Sequence, residues 1–519
     1  MNSKKTSYLL KIKKFTKTNI LFLILLLIST SYFIIENQTT TSWDLSVYVL
    51  NAKEIFQDSY YSEIGRPPLI SIIIGIISLI TGLKIAELIF IISTSILYAY
   101  AIYKFAKKLK YEPFVLYALG LNAYVLTQGL SVGTELLALT LLIITTTQIL
   151  KNKETSGIYL GLMSLTRYTT IAMAPLLIFH YNIKKIIKSI ILYSIIILTW
   201  LIYNLIEYGN LFQSIANQYA LNILAREQTQ PIQIQHFLET INILLPLILI
   251  GIFITINQII KKIRLKQLKK YLKENKQELI MITILILVIQ AYITTPHKYS
   301  RYLFLMTFPT IYYSYIGLNK LSDLIKTKSK ITNKAKTKLK TILIISMFII
   351  SLGYSIYDLT NRETQTQYEQ TKKQLEQLNL THCQLASNNW PQLNYINVAT
   401  KPSPRQQQLN QTINEGTIIA LYKKTNEPEY TQNRTIMNHL PIIYENENII
   451  ILGNQNCTQK TKYTNSYLIE LQTHIQNTKN ISINTNPCFI LFEKYGFAEK
   501  TCNLLNLQGF KLDQNRETW

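Results

Sequence analysis

The chain has 519 residues, 48% of them hydrophobic, with 53 Lys and Arg against 29 Asp and Glu. Roughly ten apolar stretches of about 15 to 22 residues, the length needed to cross a bilayer core, exclude a water-soluble protein. They predict an all-α polytopic membrane protein of about 10–12 spans. The formal charge of +24 does not argue for nucleic-acid binding, because no basic patch lies on an independent folded module. The basic clusters sit between apolar stretches, where they fix orientation.

Residues 1–17 carry Lys4, Lys5, Lys11, Lys13, Lys14 and Lys17 ahead of the apolar run 19–35, which lacks a small-residue cleavage site. This reads as an uncleaved first span with a cytoplasmic N-terminus. Residues 36–68 are too polar to span and form an outer loop that carries the acids Asp44, Glu54, Asp58 and Glu63 and is closed by Arg66-Pro67-Pro68. The run 67–81 is short and dips into the outer leaflet. Residues 84–103 then return the chain to an inner cluster of Lys104, Lys107, Lys108 and Lys110. The runs 113–127 and 135–150 flank a short turn that places Glu135 at the outer surface. Residues 157–181 carry Arg167-Tyr168 at their centre, which a single span would bury at the midplane for a few kcal/mol. Two short helices meeting near Arg167 avoid that cost. Further spans are expected at 186–205, 240–260, 279–295, 302–318 and 342–357, with a longer outer loop at 207–239, an outer turn His297-Lys298-Tyr299-Ser300-Arg301, and basic inner loops at 261–276 and 320–340.

This divides the chain into a transmembrane part, 1–357, whose first outer loop is 36–66, and an extracytoplasmic domain, 358–519. In the latter, apolar runs at 384–387, 417–422, 442–452 and 488–493 read as strands among helix-compatible stretches, giving a small α/β domain. All four cysteines, Cys383, Cys457, Cys488 and Cys502, lie there. One or two disulfides on an oxidising side are expected, with the connectivity open and free thiols as the alternative. No Cys/His spacing suggests a metal site. Glycosylation sequons occur at Asn37, Asn379, Asn410, Asn433, Asn456 and Asn480, all in segments read as outside.

With this topology Asp44, Glu63, Arg66, Glu135, Arg167, Tyr168, Glu207, His297, Lys298 and Arg301 gather on the outer side. Carboxylates beside cations suit a reaction in which a base removes a proton while cations hold a phosphate leaving group. No phosphate-binding glycine loop is present, and soluble nucleotides are scarce outside a cell, so a lipid-linked phosphosugar fits. Plainer readings stand beside this one. Asp44 could cap a helix beginning near Leu45, Glu135 could be a first-turn acid, and His297, Lys298 and Arg301 could contact headgroups.

At these residues the chain resembles the integral-membrane glycosyltransferases of the GT-C fold, in particular the polyprenyl (dolichyl) phosphate-mannose and aminoarabinose transferase group. The matching stretches are Trp43-Asp44 with Arg66-Pro67-Pro68-Leu69, Gly133-Thr134-Glu135, the run from Gly161 to Tyr168, Trp200 to Asn204 followed by Tyr208-Gly209-Asn210, and Arg301-Tyr302-Leu303 with Pro309. They cover about the first 320 residues. The resemblance implies that Asp44 is the catalytic base, that Glu135 is a metal or acceptor ligand, and that Arg301 and its neighbours bind the lipid phosphate. It leaves a divalent metal ion, held by Asp44 and Glu135, as the one cofactor to consider. The paired acids typical of the fold's first loop are reduced here to Asp44, and the Trp-Trp-Asp signature of oligosaccharyltransferases is absent, which argues against transfer of whole oligosaccharides to asparagine. The implied partners are a polyprenyl-phosphate-linked sugar donor, a glycan, lipid or protein acceptor, and membrane lipids. A flippase of lipid-linked sugars and a non-catalytic membrane scaffold are the rival readings, and the spans show no inverted repeat of the kind transporters carry.

Overall fold

The computed structural model describes residues 2–224, 230–264, 275–329, 333–362, 364–425, 428–454, 456–479, 486–492 and 502. Among these, six helices are long and apolar enough to cross a membrane: Ile20–Thr39, Leu83–Leu109, Ile183–Tyr208, Ile234–Arg264, Lys276–Thr294 and Thr337–Thr360. Four shorter apolar helices accompany them, Leu69–Thr81, Glu135–Leu150, Ser156–Thr166 and Tyr168–Phe179. Along Ile183–Tyr208 the side chains of Ile187, Ile191, Ile195, Leu198, Ile202 and Ile206 are exposed. A surface of that kind is what lipid contact requires of an integral membrane protein. The chain divides into two compact units, residues 1–36, 88–202 and 226–361 in the first, and residues 37–87, 203–225 and 362–519 in the second.

In the first unit the helix pairs close on small residues. A Cβ at Gly251 would lie 2.0 Å from the Tyr313 carbonyl oxygen, and one at Gly317 equally close to that of Leu247. The helices Leu245–Arg264 and Thr307–Ser329 therefore approach backbone to backbone, the packing mode that works where lipid removes the hydrophobic drive between helices. The expected break in 157–181 is present: Ser156–Thr166 ends at Arg167, whose φ of −157° and ψ of 111° are extended, and a 3-10 helix follows over Tyr168–Phe179.

In the second unit the stretch after the first span is more ordered than a loop. It forms a helix, Trp43–Phe56, and a short strand β1, Tyr61–Glu63. The C-terminal segment adds strands β2 Leu385–Ser387, β3 Thr400–Pro402, β4 Ile418–Tyr422, β5 Ile442–Glu445, β6 Ile449–Leu452 and β7 Tyr463–Asn465. Strands β2 to β6 form one mixed sheet in the order β3-β2-β4-β6-β5, with β3-β2-β4 parallel and β4-β6-β5 antiparallel. Alternate residues bury on opposite faces: Ile418, Ala420, Ile449 and Ile451 in one core, Ile419, Leu421, Ile450 and Leu452 in the other. Both faces are covered, hence the continuous apolar runs in β4 and β6. The run 442–452 is a hairpin, turned where the Asn446 side chain accepts from the Asn448 and Ile449 amides at 2.8 and 2.9 Å.

One expected strand is a helix. Pro487–Phe492 is helical because Pro487 occupies the first turn and the Asn486 side chain accepts from the Cys488 amide at 2.9 Å, a capped start. Glu493 and the sequon at Asn480 lie outside the described residues. The cysteines pair as Cys383–Cys457 and Cys488–Cys502, with Cα atoms 5.4 and 5.8 Å apart. The first closes a separation of 74 residues and the second one of 14, so chain entropy gives about 4 and about 3 kcal/mol. Alkylation without reductant should find no free thiol, and replacing Cys383 and Cys457 by Ser should lower the thermal midpoint more than replacing Cys488 and Cys502.

Candidate functional site

The helix Trp43–Phe56 is capped by Ser42, whose side chain accepts from the Leu45 amide at 3.3 Å. The capping role considered for Asp44 therefore falls to Ser42, one residue outside the helix, and Asp44 stands in the first turn with its carboxylate directed elsewhere. Its Oδ1 lies 2.5 Å from Arg66 Nη1, while Arg66 Nε donates to Glu63 Oε2. Asn51, two turns along the same helix, fixes the partner strand: its Nδ2 donates to the Glu63 carbonyl and its Oδ1 accepts from the Glu63 amide, both at 2.9 Å. The sequence leaves Asp44 as a lone acid; the structure sets a second carboxylate, Glu63, on the same guanidinium. Asp44 and Glu63 are buried and Arg66 is partly buried, with side-chain exposures of 10% for Asp44, 12% for Arg66 and 1% for Glu63. Burial opposes the charge on Arg66, but the Glu63 and Asp44 carboxylates outweigh it and hold the guanidinium's proton more tightly than usual. Tyr467, a residue that sequence reasoning missed, donates its hydroxyl to Glu63 Oε1. No signal pointed to it, since it is one of 35 tyrosines and stands 404 residues from its partner.

In the first unit, Gly133 with a φ of +88° turns the chain ahead of the helix Glu135–Leu150. Glu135 opens that helix, so it is a first-turn acid, and it is also an ion-pair member. Its Oε1 accepts from Arg167 Nη1 at 2.7 Å and its Oε2 from the Thr134 hydroxyl at 2.6 Å. The Arg167 guanidinium lies 5.7 Å from the centre of the Tyr302 ring, and both residues line a cleft with Thr169, Met173, Val288 and Thr295. The Tyr168 hydroxyl accepts from Trp200 Nε1 at 2.8 Å, tying two of the sequence motifs together. Arg301 lies over the Tyr299 and Tyr302 rings at 5.2 and 6.0 Å, and the His297 ring is 4.4 Å from that of Tyr299. Lys298 departs from the expected role. Its ammonium donates to the carbonyls of Tyr292 and Ile293, each at 2.8 Å, and to that of Thr295. Three donors on three carbonyls make it a cap for the end of the helix Lys276–Thr294 rather than a phosphate ligand.

The expected metal ligands do not suit a divalent ion in this arrangement. The space between Asp44 and Glu63 holds a guanidinium, and both oxygens of Glu135 accept from protein donors. Among the described residues one other group brings ligand atoms together, His382 with Cys383 and Cys457, but its two sulfurs are joined to each other and offer no thiolate. Replacing Arg66 by Ala should cost about 3–5 kcal/mol, because it strands two buried carboxylates. Adding Glu63→Gln should recover part of that loss, and thermal melts of the single and double variants measure both.

No family model matches the chain, and no curated protein matches it. Several solved structures are similar. ArnT from Cupriavidus metallidurans bound to undecaprenyl phosphate aligns with a TM-score of 0.52 at 9% identity, over 84% of this chain and 98% of that one. Its apo state gives 0.53 at 10% over the same shares. The archaeal oligosaccharyltransferase AglB from Archaeoglobus fulgidus, in complex with an inhibitory peptide and a dolichol-phosphate, gives 0.49 at 8%, over 94% of this chain and 87% of that one. The chain has the fold of the GT-C membrane glycosyltransferases.

Proposed function

We propose that the protein is a membrane glycosyltransferase that moves a single sugar from a polyprenyl-phosphate-linked donor to a hydroxyl of a glycan, lipid or protein on the outer face of the membrane. The observation that carries this reading is the buried cluster of Asp44, Glu63 and Arg66, set on the fold that ArnT uses around undecaprenyl phosphate. Two carboxylates share one guanidinium, so the cluster holds one more negative charge than positive. A centre with that balance attracts a proton and repels a phosphate.

Asp44 is the proposed general base. It takes the proton of the acceptor hydroxyl as that oxygen bonds to the anomeric carbon of the sugar. The bond from that carbon to the phosphate oxygen breaks on the opposite face, its electron pair leaves with the phosphate, and the configuration inverts. A polyprenyl phosphate departs as a stable anion and needs no general acid. The oxocarbenium character of the transition state rewards negative charge near the reacting carbon. Arg301, with Tyr299 and Tyr302 against it, is the residue to which the lipid phosphate is assigned, and a planar guanidinium suits two phosphate oxygens.

Transfer of labelled sugar from polyprenyl-phosphate-linked mannose, and from the glucose analogue, to a membrane extract tests the reading. Wild type should label an acceptor, and Asp44→Asn should reduce the rate by about 10²–10⁴, the range of a lost general base. Equal labelling by both would remove Asp44 as the base. Silence from both, with a competent donor and acceptor present, would overturn the transferase reading and leave flipping of lipid-linked sugars to be assayed.

A further inference from the structure

We propose that Tyr467 is a positioning residue for the transfer reaction, so that the C-terminal segment completes the centre built around Asp44. The inference rests on the reading of Asp44 as base. Its basis is a chain of contacts: the Tyr467 hydroxyl donates to Glu63 Oε1, Arg66 Nε donates to Glu63 Oε2, and Arg66 Nη1 reaches Asp44 Oδ1. Tyr467 thus acts on Asp44 through two intermediates and touches no reacting atom itself.

The backbone brings it there. Strand β7 pairs in parallel with β1, Tyr61 against Tyr463 and Glu63 against Asn465, and the Tyr463 amide donates to the Tyr60 carbonyl at 2.8 Å. Three paired residues are marginal alone. An aromatic stack supports them: the Tyr61 ring lies 3.7 Å from Trp390 and 5.4 Å from Tyr463, and Trp43, next to Asp44 in sequence, meets Trp390 at 5.2 Å. Beyond the strand, the Leu468 amide donates to Asn217 Oδ1 at 3.3 Å and anchors the start of the helix that carries Tyr467.

The chemical consequence concerns how Arg66 is divided. Glu63 is 2% exposed, so each of its oxygens needs a donor from the protein. Tyr467 supplies one and Arg66 the other. Without the phenol, the remaining way to satisfy Glu63 is to draw Arg66 further onto it, and the guanidinium then leaves Asp44. Asp44 would keep its place in the helix and lose its contact with Arg66.

The test is Tyr467→Phe in the full-length protein, a change that removes one oxygen and keeps the ring. The expected result is a kcat about tenfold lower, the scale of one hydrogen bond to a charged group, with KM for the lipid-linked donor within about twofold. Hydrogen exchange at the amides of Tyr61, Ser62, Glu63 and Arg66 should be about tenfold faster on the same scale. Lys462→Met is the control, since Lys462 bridges Glu54 and Asp58 at 3.0 and 2.7 Å from the exposed side of the same pairing; it should leave kcat as in wild type. A Tyr467→Phe protein with wild-type kcat and wild-type exchange overturns the proposal, as does a raised KM with kcat unchanged, which would make Tyr467 a donor contact. If wild type itself transfers no sugar, the transferase reading fails separately, and the exchange rates alone decide whether Tyr467 holds the acidic segment.

Discussion

A single guanidinium shared by two buried carboxylates is the constraint on which the second unit is arranged. Removing three charges from water costs several kcal/mol per ion, and only close, well-oriented pairing offsets it. Arg66 must therefore be placed accurately against both Asp44 and Glu63. Asp44 and Asn51 are seven residues apart and fall on one face of the helix Trp43–Phe56. Asp44 holds the Arg66 side chain, and Asn51 holds the backbone of Glu63 through both its amide and its carbonyl. Pro67 and Pro68 then end the segment, because neither can offer a backbone donor to continue a strand.

The first unit meets the same electrostatic problem in a different way. An arginine in the middle of a continuous apolar helix would sit at the midplane. The helix stops at Thr166, Arg167 adopts an extended conformation, and the chain resumes as a 3-10 helix. The break lets the side chain reach Glu135, at the start of another helix where its negative charge is also favoured by the helix dipole. One local departure from helical geometry thus replaces an expensive buried charge with a neutral pair.

How much of this the sequence discloses depends on the range of the interaction. Apolar periodicity and length locate the long helices, and the cost of burying Arg167 predicts the break beside it, because both are local. The strands β2 and β4 are legible for the same reason, whereas the run 442–452, read as a single strand, is the hairpin of β5 and β6. The segment 488–493 misleads because its apolar composition suits a strand, while the decisive signal is the Asn486-Pro487 cap in front of it. The acids and cations of the site are recognisable by type, but their pairing is not. That Glu63 joins Asp44, and that Tyr467 joins Glu63 across 404 residues, follows from a parallel strand pairing that no local pattern encodes. Lys298 fails as a phosphate ligand for a related reason: whether an ammonium is free or spent on helix carbonyls depends on where the preceding helix ends.

The pairing also orders the cations that could hold a lipid phosphate. Arg66 balances two carboxylates, Arg167 is neutralised by Glu135, and Lys298 is engaged by three carbonyls. A phosphate bound at any of these would have to compete with an interaction already made in a partly desolvated setting, at a cost comparable to what it gained. Arg301 lies over the faces of Tyr299 and Tyr302. Aromatic faces stabilise a guanidinium through its plane. The proposed assignment of the departing phosphate to Arg301 rests on the resemblance carried by Arg301-Tyr302-Leu303 together with this stacking, because a planar guanidinium matches two oxygens of one phosphate.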